Sequence, residues 1–281
     1  MEEYDAIGDV VRRVYVGIGS RQTPRAVLRV MAGVAVRLAL ADVALRSGGA
    51  AGADTAFEWG CDQVDPTLKQ ILLPWPGFNG RQSPFDRPTE AMMDMAAQYH
   101  PAWHRCSDAA RKLHARNGGQ ILGPELDARA RVVICWTPNG ELVGGTAQAL
   151  RIAADHDVPV INLGDAQWQN ANADHIARAA LSMLLAERGQ TMTLPRVLNQ
   201  RHHRTGKGTV LIDRTTPWGN PFRIGPDGSR LVVVVKYKRW LPTRPDLMAA
   251  LGELRGRDLL CWCAPDLCHG NVLMPAADRP R

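Results

Sequence analysis

The sequence predicts an α/β fold, with a Rossmann-like parallel sheet carrying helices on both faces, followed by a small α+β domain. Short apolar runs alternate with helical patterns over the first ~190 residues, and the connections between them are short, as in successive βαβ units. The pattern changes near residue 190, where 189–195 has little apolar content. We therefore expect two domains, residues 1–190 and 196–281.

The predicted strands are apolar runs of three to six residues, at 14–18, 43–45, 70–73, 131–136 and 158–162. The predicted helices have apolar residues at helical spacing, at 23–41, 53–61, 89–98, 106–115, 144–155 and 172–188. Thr23 and Pro24 suit the N-cap and first turn of the first helix. Between two of these elements, residues 74–88 hold four prolines and two glycines, which indicates an ordered loop or lid. In the second domain, 231–235 is β-branched like a strand, but Tyr237 and Trp240 continue it at helical spacing, so we predict a helix.

Charge is distributed unevenly along the chain. The net charge is +6, yet residues 191–281 carry 15 basic and 7 acidic side chains, against 19 and 21 before them. A basic C-terminal third indicates either an anionic partner, nucleotide or nucleic acid, or a solvated basic surface. Charges interrupt the apolar stretch 27–45, and the N-terminus is acidic without an apolar core. We therefore expect no membrane segment, no secretory signal and a cytoplasmic location.

Three glycine-bearing loops, 17–21, 47–54 and 140–146, each follow a predicted strand. In a parallel sheet such loops meet at one edge, where free amides and helix dipoles favour a phosphate. Tight βα turns are the alternative explanation for each loop taken singly. None is a P-loop or a dinucleotide fingerprint, because the required Lys and third Gly are missing. The candidate ligand-binding residues in these loops are Gly19, Ser20, Arg21, Ser47, Gly48, Gly49, Gly52, Asp54, Gly144, Gly145 and Thr146.

Asp54 and Glu58 lie four residues apart on one predicted helix and so share a face. Asp54 suits a helix cap or a contact with ribose hydroxyls. Glu58 suits either a surface ion pair or a carboxylate beside a sugar anomeric carbon, where it would stabilise an oxocarbenium-like state. We keep both as candidate catalytic residues.

Four strings occur in the order found in SLOG proteins, and the chain resembles that superfamily over residues 12–186. They are Gly19-Ser20-Arg21, the run from Ser47 to Asp54, Arg116-Asn117 and Gly144-Gly145-Thr146. The superfamily includes DprA, the LOG phosphoribohydrolases and a YspA-like group, which is the most similar. The resemblance implies a Rossmann-like fold that binds a nucleotide or ADP-ribose-like ligand, with Arg116 and Asn117 at its rim, and a homo-oligomer. LOG enzymes carry a catalytic Glu three residues after the motif threonine, where this chain has Ala149.

The C-terminal residues 196–274 resemble a small uncharacterised domain family of bacteria and phages. The strings that carry the resemblance are WGNPF at 218–222 and CWC followed by CHG at 261–270. Trp218 and Asn220 are candidate ligand-binding residues in the first string. The family pattern has an acidic residue after CHG, where this chain has Asn271, which puts any activity that depends on that carboxylate in doubt.

Six cysteines are present, and their spacing does not indicate a disulfide scaffold. Cys61, Cys106 and Cys135 stand alone in the sequence, whereas Cys261, Cys263 and Cys268 are clustered beside His269. Three alternatives stay open for the cluster: buried structural cysteines, a zinc site, or a reactive thiolate with its pKa lowered by nearby positive charge. The spacing lacks the paired C-x2-C knuckles of zinc domains. Cys263, Cys268 and His269 are therefore candidate catalytic residues.

Three functional hypotheses follow. The first is an enzyme that cleaves or exchanges an N-glycosidic bond of a nucleotide, and the second is a nucleotide sensor without turnover, in defence or stress signalling. The third is a DprA-like single-stranded DNA binder, which the basic C-terminal third favours and the nearly neutral first part disfavours.

Overall fold

The computed structural model describes residues 13–186 and 194–278. By their contacts these residues form two compact units. The first extends to Ala35 and from Asp42 to Ala171, and the second consists of Val36–Ala41 and the residues from Asn172 onward. The acidic N-terminal segment and most of the predicted linker at 189–195 lie outside the described residues.

The first unit is an α/β unit built on a parallel sheet. Its strands are β1 (Val14–Gly17), β2 (Ala44–Ser47), β3 (Lys69–Ile71), β4 (Val132–Cys135) and β5 (Val160–Asn162). They pair in the order β3-β2-β1-β4-β5, and every neighbouring pair is parallel. The connecting helices are α1 (Arg25–Leu40), of which the residues up to Ala35 belong to this unit, α2 (Ala53–Asp62), α3 (Glu90–Tyr99), α4 (Asp108–Leu122) and α5 (Gly144–Asp155). The predicted Rossmann-like class is confirmed.

The strand order identifies where a ligand fits best. From β1 the chain moves outward through β2 to β3, then returns to the other side of β1 as β4 and continues to β5. The connections therefore diverge between β1 and β4. At such a switch point the loops on either side leave a crevice at the carboxyl ends of the strands, which is the usual ligand position in open α/β sheets.

The centre of the sheet is buried on both faces. Every residue of β2 and β4 is buried, which explains why β4 is a continuous apolar run. Arg46 of β2 is a charged side chain among these buried residues, with 1% of its surface exposed. Its Nε donates to Gln70 Oε1 at 2.9 Å and its guanidinium donates to the Ala128 carbonyl at 2.9 Å. Burial lowers the pKa of Arg46 to about 10.

Helix α4 is longer than its sequence predicts. The predicted helix ends at 115, but α4 continues to Leu122 through Gly118 and Gly119. Glycine disfavours helix interiors; here both glycines pack closely against α3, where a Cβ would collide with the side chains of Met92 and Met95. Tertiary packing therefore overrides local propensity, and Arg116 and Asn117 lie within a helix rather than at its end.

The second unit combines a three-stranded sheet with short helices. Its strands are β6 (Val197–Asn199), β7 (Thr209–Leu211) and β8 (Asp258–Cys261), in the order β6-β8-β7 with parallel pairing. Its helices are α6 (Ala173–Leu185), α7 (Arg230–Trp240), α8 (Pro245–Ala250) and α9 (Gly270–Ala277). Its parallel pairing was not predicted by the sequence.

The valine-rich run of the second unit forms the predicted helix α7. The Ser229 hydroxyl accepts from the Val232 amide at 3.4 Å and caps the helix. Tyr237 is fully buried, and its hydroxyl donates to the Trp218 carbonyl at 2.8 Å. Neither α7 nor any other helix within residues 13–186 and 194–278 is long and apolar enough to cross a membrane.

Candidate functional site

A cavity of about 510 Å³ in the first unit is lined by residues of the segments that connect β1, β2 and β4 to their following helices, and by one face of α4. It therefore occupies the switch point of the sheet. The predicted site residues that line it are Gly19, Ser20, Arg21, Asp54, Arg116, Asn117, Gly144, Gly145 and Thr146. Those that do not line it are Ser47, Gly48, Gly49, Gly52 and Glu58.

The first glycine loop is held to the end of β4 by backbone hydrogen bonds. The Ser20 amide donates to the Trp136 carbonyl at 3.3 Å. The Ser20 carbonyl in turn accepts from the Thr23 hydroxyl at 2.6 Å, which fixes the start of α1. Arg21, between these two anchored positions, is exposed and lines the cavity. Its guanidinium is therefore accessible to an anionic ligand.

Asp54 is the buried carboxylate of the cavity, with 3% of its surface exposed. It does not cap α2, whose N-cap is Gly52, but reaches back so that Oδ2 accepts from the Ala50 amide at 3.1 Å. Burial raises the pKa of Asp54, and the positive charge of Arg116 opposes that rise. Asp54 thus closes the second glycine loop and also faces the cavity.

Arg116 connects α4 to that loop. One terminal nitrogen donates to the Gly48 carbonyl, and the other lies 4.0 Å from Asp54 Oδ2. A side chain at position 48 would collide with this guanidinium, which accounts for the glycine there. Burial lowers the pKa of Arg116, and its Nε is buried without a hydrogen-bond partner among the described residues. The cavity floor is therefore a buried, incompletely satisfied charge pair.

Asn117 connects α4 to the third glycine loop. Its Nδ2 donates to the Gly145 carbonyl at 3.2 Å and to Gln148 Oε1 at 3.3 Å. An added Cβ at Gly145 would meet no atom within 4 Å. Packing therefore does not require glycine at 145, whereas a ligand that approaches the backbone would.

Glu58 is bound by two cations and lies outside the cavity lining. Its Oε1 is 3.2 Å from Lys69 Nζ, and its Oε2 is 2.7 Å from Arg81 Nε. Arg81 belongs to the predicted loop 74–88, and from the same loop Asn79 donates to the Gly49 carbonyl at 3.0 Å. The loop therefore packs on the second glycine loop, and Glu58 helps to anchor it.

A second cavity, of about 610 Å³, lies in the second unit. The sulfur atoms of Cys261, Cys263 and Cys268 lie within 4.8 Å of one another beside it. The polar and reactive residues in its lining are Asp213, Arg214, Asn220, Arg223, Arg230, Cys261, Cys263, Cys268 and His269. The predicted residues Cys263, Cys268 and His269 are thus brought together with arginines.

The three thiols differ in their affinity for protons. Hydrogen bonds from Cys261 and Cys268 lower the pKa of Cys263, and the nearby His269 and Arg230 add to the effect. The same contacts raise the pKa of Cys268, which is buried. His269 Nε2 lies 2.7 Å from the Ile212 carbonyl, and Nδ1 lies 3.6 Å from Cys268 Sγ. The arrangement favours one thiolate, at the half-buried Cys263.

Asn271 takes part in two hydrogen bonds of opposite direction. Its Oδ1 accepts from the Cys268 amide at 2.9 Å, and its Nδ2 donates to Asp174 Oδ1 at 3.1 Å. An acidic residue could make only the first bond. Asn271 stands where the resembled family pattern has an acidic residue, and the Asp174 carboxylate explains the amide there, because it needs a hydrogen-bond donor.

The WGNPF string organises the turn that precedes α7. Asn220 Nδ2 donates to the Val233 carbonyl at 3.1 Å, and its Oδ1 accepts from the Phe222 amide at 2.9 Å. Asn220 lines the second cavity, whereas Trp218 is buried and does not line it.

The cavities also contain residues that motif analysis missed. His114 and Gln120 of α4 line the first cavity, and Asp213 and Arg230 line the second. The available signal for His114 was its helical spacing from Asn117, three residues later on the same face of α4. That signal could be used only if α4 was known to continue past residue 115.

Comparison with known proteins gives partial matches. Residues 197–279 match the model of a domain of unknown function, DUF4326, which covers less than half of the chain. No curated protein matches the sequence. Among solved structures, the DNA processing protein A of Helicobacter pylori, described as binding single-stranded DNA, aligns with 20% identity and a TM-score of 0.32. The alignment covers 54% of this chain and 64% of that one.

Proposed function

We propose that the first unit binds a nucleotide or nucleotide-derived ligand in its cavity. The observation that carries this is the meeting of Arg21, the first glycine loop and the third glycine loop at the switch point of the sheet. Backbone amides at the start of α5 and the Arg21 guanidinium are donors suited to phosphate. Packing of the protein does not require glycine at position 145, and the absence of a side chain there leaves room for a ligand against the backbone.

We propose further that the ligand is cleaved or exchanged at its N-glycosidic bond, with Asp54 as the reacting carboxylate. Within the described part of the chain, Asp54 is the carboxylate that lines the cavity, whereas Glu58 is held by Lys69 and Arg81. As the partner of Arg116, the Asp54 carboxylate would stabilise positive charge at the anomeric carbon while the bond to the base breaks and water adds to that carbon.

The nucleotide-sensor hypothesis is the second candidate. It is favoured by the hydrogen bond from the Ala50 amide to Asp54, since that bond gives the carboxylate a structural role without turnover. The single-stranded DNA hypothesis predicts affinity for oligonucleotides that falls steeply as salt rises.

One experiment separates these candidates. The protein is incubated with nucleoside monophosphates, deoxynucleotides, NAD and ADP-ribose, and free base is measured by chromatography, with ligand binding measured by calorimetry. Release that is lost in Asp54→Asn while binding persists supports the enzyme. Binding without release supports the sensor. Absence of binding to every ligand contradicts the proposed site.

For the second unit we propose that Cys263 is a reactive thiolate, assisted by Cys268 and His269. Because its pKa is lowered, the thiolate persists as the pH falls below the usual range of thiols. Alkylation of Cys263 by iodoacetamide, mapped by mass spectrometry, should stay fast at pH 6. Cys61, whose pKa burial raises to about 12, should remain unmodified. Zinc held by the three thiols is the alternative, and it predicts one bound zinc and slow alkylation of Cys263.

A further inference from the structure

Three metal-binding side chains meet in the first unit where α3 leads into α4. His100 is the C-cap of α3, Cys106 precedes the Ser107 N-cap of α4, and His114 lies two turns into α4. One ring nitrogen of each histidine and the Cys106 sulfur lie within 4.8 Å of one another. The His100 and His114 rings are 4.3 Å apart between centroids, and Cys106 Sγ is 3.7 Å from His100 Nδ1.

We propose that His100, Cys106 and His114 bind a zinc ion. Zinc bonds of about 2.3 Å to sulfur and about 2.0–2.1 Å to nitrogen hold a sulfur and a nitrogen ligand of a tetrahedral ion about 3.5 Å apart. The 3.7 Å between Cys106 Sγ and His100 Nδ1 is close to that separation, so coordination would need only a small movement. Two imidazoles and one thiolate suit zinc better than calcium or magnesium, which prefer oxygen.

An unpaired polar atom points to the same site. His114 Nδ1 is buried and has no hydrogen-bond partner among the described residues. The two histidine rings are in contact at an angle of 54° between their planes, but this contact leaves the nitrogen unsatisfied, at a cost in free energy. A metal ion in contact with Nδ1 would satisfy it.

The local backbone holds the ligands in place before any metal binds. The Ser107 hydroxyl accepts from the Ala110 amide at 3.3 Å, and the Cys106 amide donates to the Trp103 carbonyl at 3.1 Å. The Ala102 amide donates to His100 Nδ1 at 3.2 Å, so coordination through that nitrogen would replace this bond.

Three protein ligands leave one position of a tetrahedral ion open, as in catalytic zinc sites. His114 lines the first cavity, so the ion would belong to the cavity wall. Contact between the ion and a nucleotide rests on the proposed function. Metal binding itself does not, and it is measured without any nucleotide.

The test uses the full chain, freed of metal with a chelator and titrated with Co²⁺ as a spectroscopic probe and with Zn²⁺. The parent is expected to bind an ion with tetrahedral absorption and a sulfur-to-cobalt band. Cys106→Ser should lose the sulfur-to-cobalt band of the ion bound at this site. His114→Ala should weaken metal binding by more than roughly 10–100-fold, which is the usual loss when a residue that only supports a metal ligand is removed. His104→Ala is the matched control, because His104 is an exposed histidine of the same connection. It should bind metal as the parent does.

The thiols of the second unit are a competing site, and a second measurement excludes them. In the parent, Zn²⁺ should protect Cys106 from alkylation, as mapped by mass spectrometry, which needs no variant to fold. Protection of Cys261, Cys263 and Cys268 alone would overturn the proposal. So would equal metal binding by the parent and a folded Cys106→Ser/His114→Ala variant.

Discussion

The two cavities are built by different means. The first is lined mainly by residues of the glycine-bearing loops, including the exposed Arg21, and by one face of α4. The second is formed by side chains, with three thiols, a histidine and several arginines around it. A backbone-lined cavity recognises the shape and charge of a ligand such as phosphate, whereas thiols and imidazole supply reactivity. The first cavity therefore offers charge and backbone polar groups, whereas the second offers nucleophilic side chains.

The largest expected effect comes from Arg116→Ala, which tests the floor of the first cavity. The substitution leaves the buried Asp54 carboxylate without its cation. Loss of one partner of a buried pair costs about 3–5 kcal/mol of folding stability. Denaturant unfolding measures the loss, and Arg111→Ala, on the same helix but more exposed, should cost far less. Equal losses of stability in Arg116→Ala and Arg111→Ala would mean that Arg116 and Asp54 do not form a stabilising charge pair.

A smaller effect is expected from Gly145→Ala, and it sharpens the contrast in ligand recognition. The added methyl meets no protein atom, and alanine favours a helix over glycine by about 0.5–1 kcal/mol. Stability should therefore rise slightly while nucleotide affinity falls. Gly252→Ala is the matched control in the second unit, because a Cβ there also meets nothing within 4 Å. It should leave nucleotide affinity unchanged, and unchanged affinity in Gly145→Ala would contradict the site.

Asn271→Asp tests whether the stability of the second unit depends on hydrogen-bond direction at position 271. Aspartate cannot donate to Asp174, and two carboxylates would face each other. A loss of about 1–3 kcal/mol is expected, measured by thermal or denaturant unfolding at pH 7. Asn271→Ala is the comparison, because it removes the same hydrogen bonds without placing a second carboxylate beside Asp174. A smaller loss in Asn271→Asp than in Asn271→Ala would contradict repulsion between the carboxylates.

Glu58→Gln tests the carboxylate that lies outside the lining of the first cavity. Glu58 makes two partly buried ion pairs, so stability should fall by about 1 kcal/mol. If Asp54 is the reacting carboxylate, base release should not change. Glu125→Gln, at an exposed position, is the control for loss of one negative charge. A large loss of release in Glu58→Gln alone would transfer the proposed catalytic role to Glu58.

Much of the first site could be predicted from local sequence. Each glycine loop follows an apolar strand, and parallel strands bring their carboxyl ends to one edge, so Gly19, Arg21 and Gly145 were expected together. For Glu58 the sequence left an ion pair and a catalytic carboxylate as alternatives, and the structure shows the ion pairs. Local sequence could not name the partners, because Lys69 and Arg81 reach Glu58 from a strand and a loop outside its own helix.

The sequence by itself determined the alternation of strands and helices, the two-part organisation and the clustered cysteines, since each depends on residues close together in the chain. Tertiary structure alone decided three other features. Packing of Gly119 against α3 extended α4, the fold of α3 onto α4 brought His100, Cys106 and His114 together, and Asp174 gave Asn271 its partner. The physical reason is the same in each case: the deciding contact joins residues whose distance in space no local pattern records.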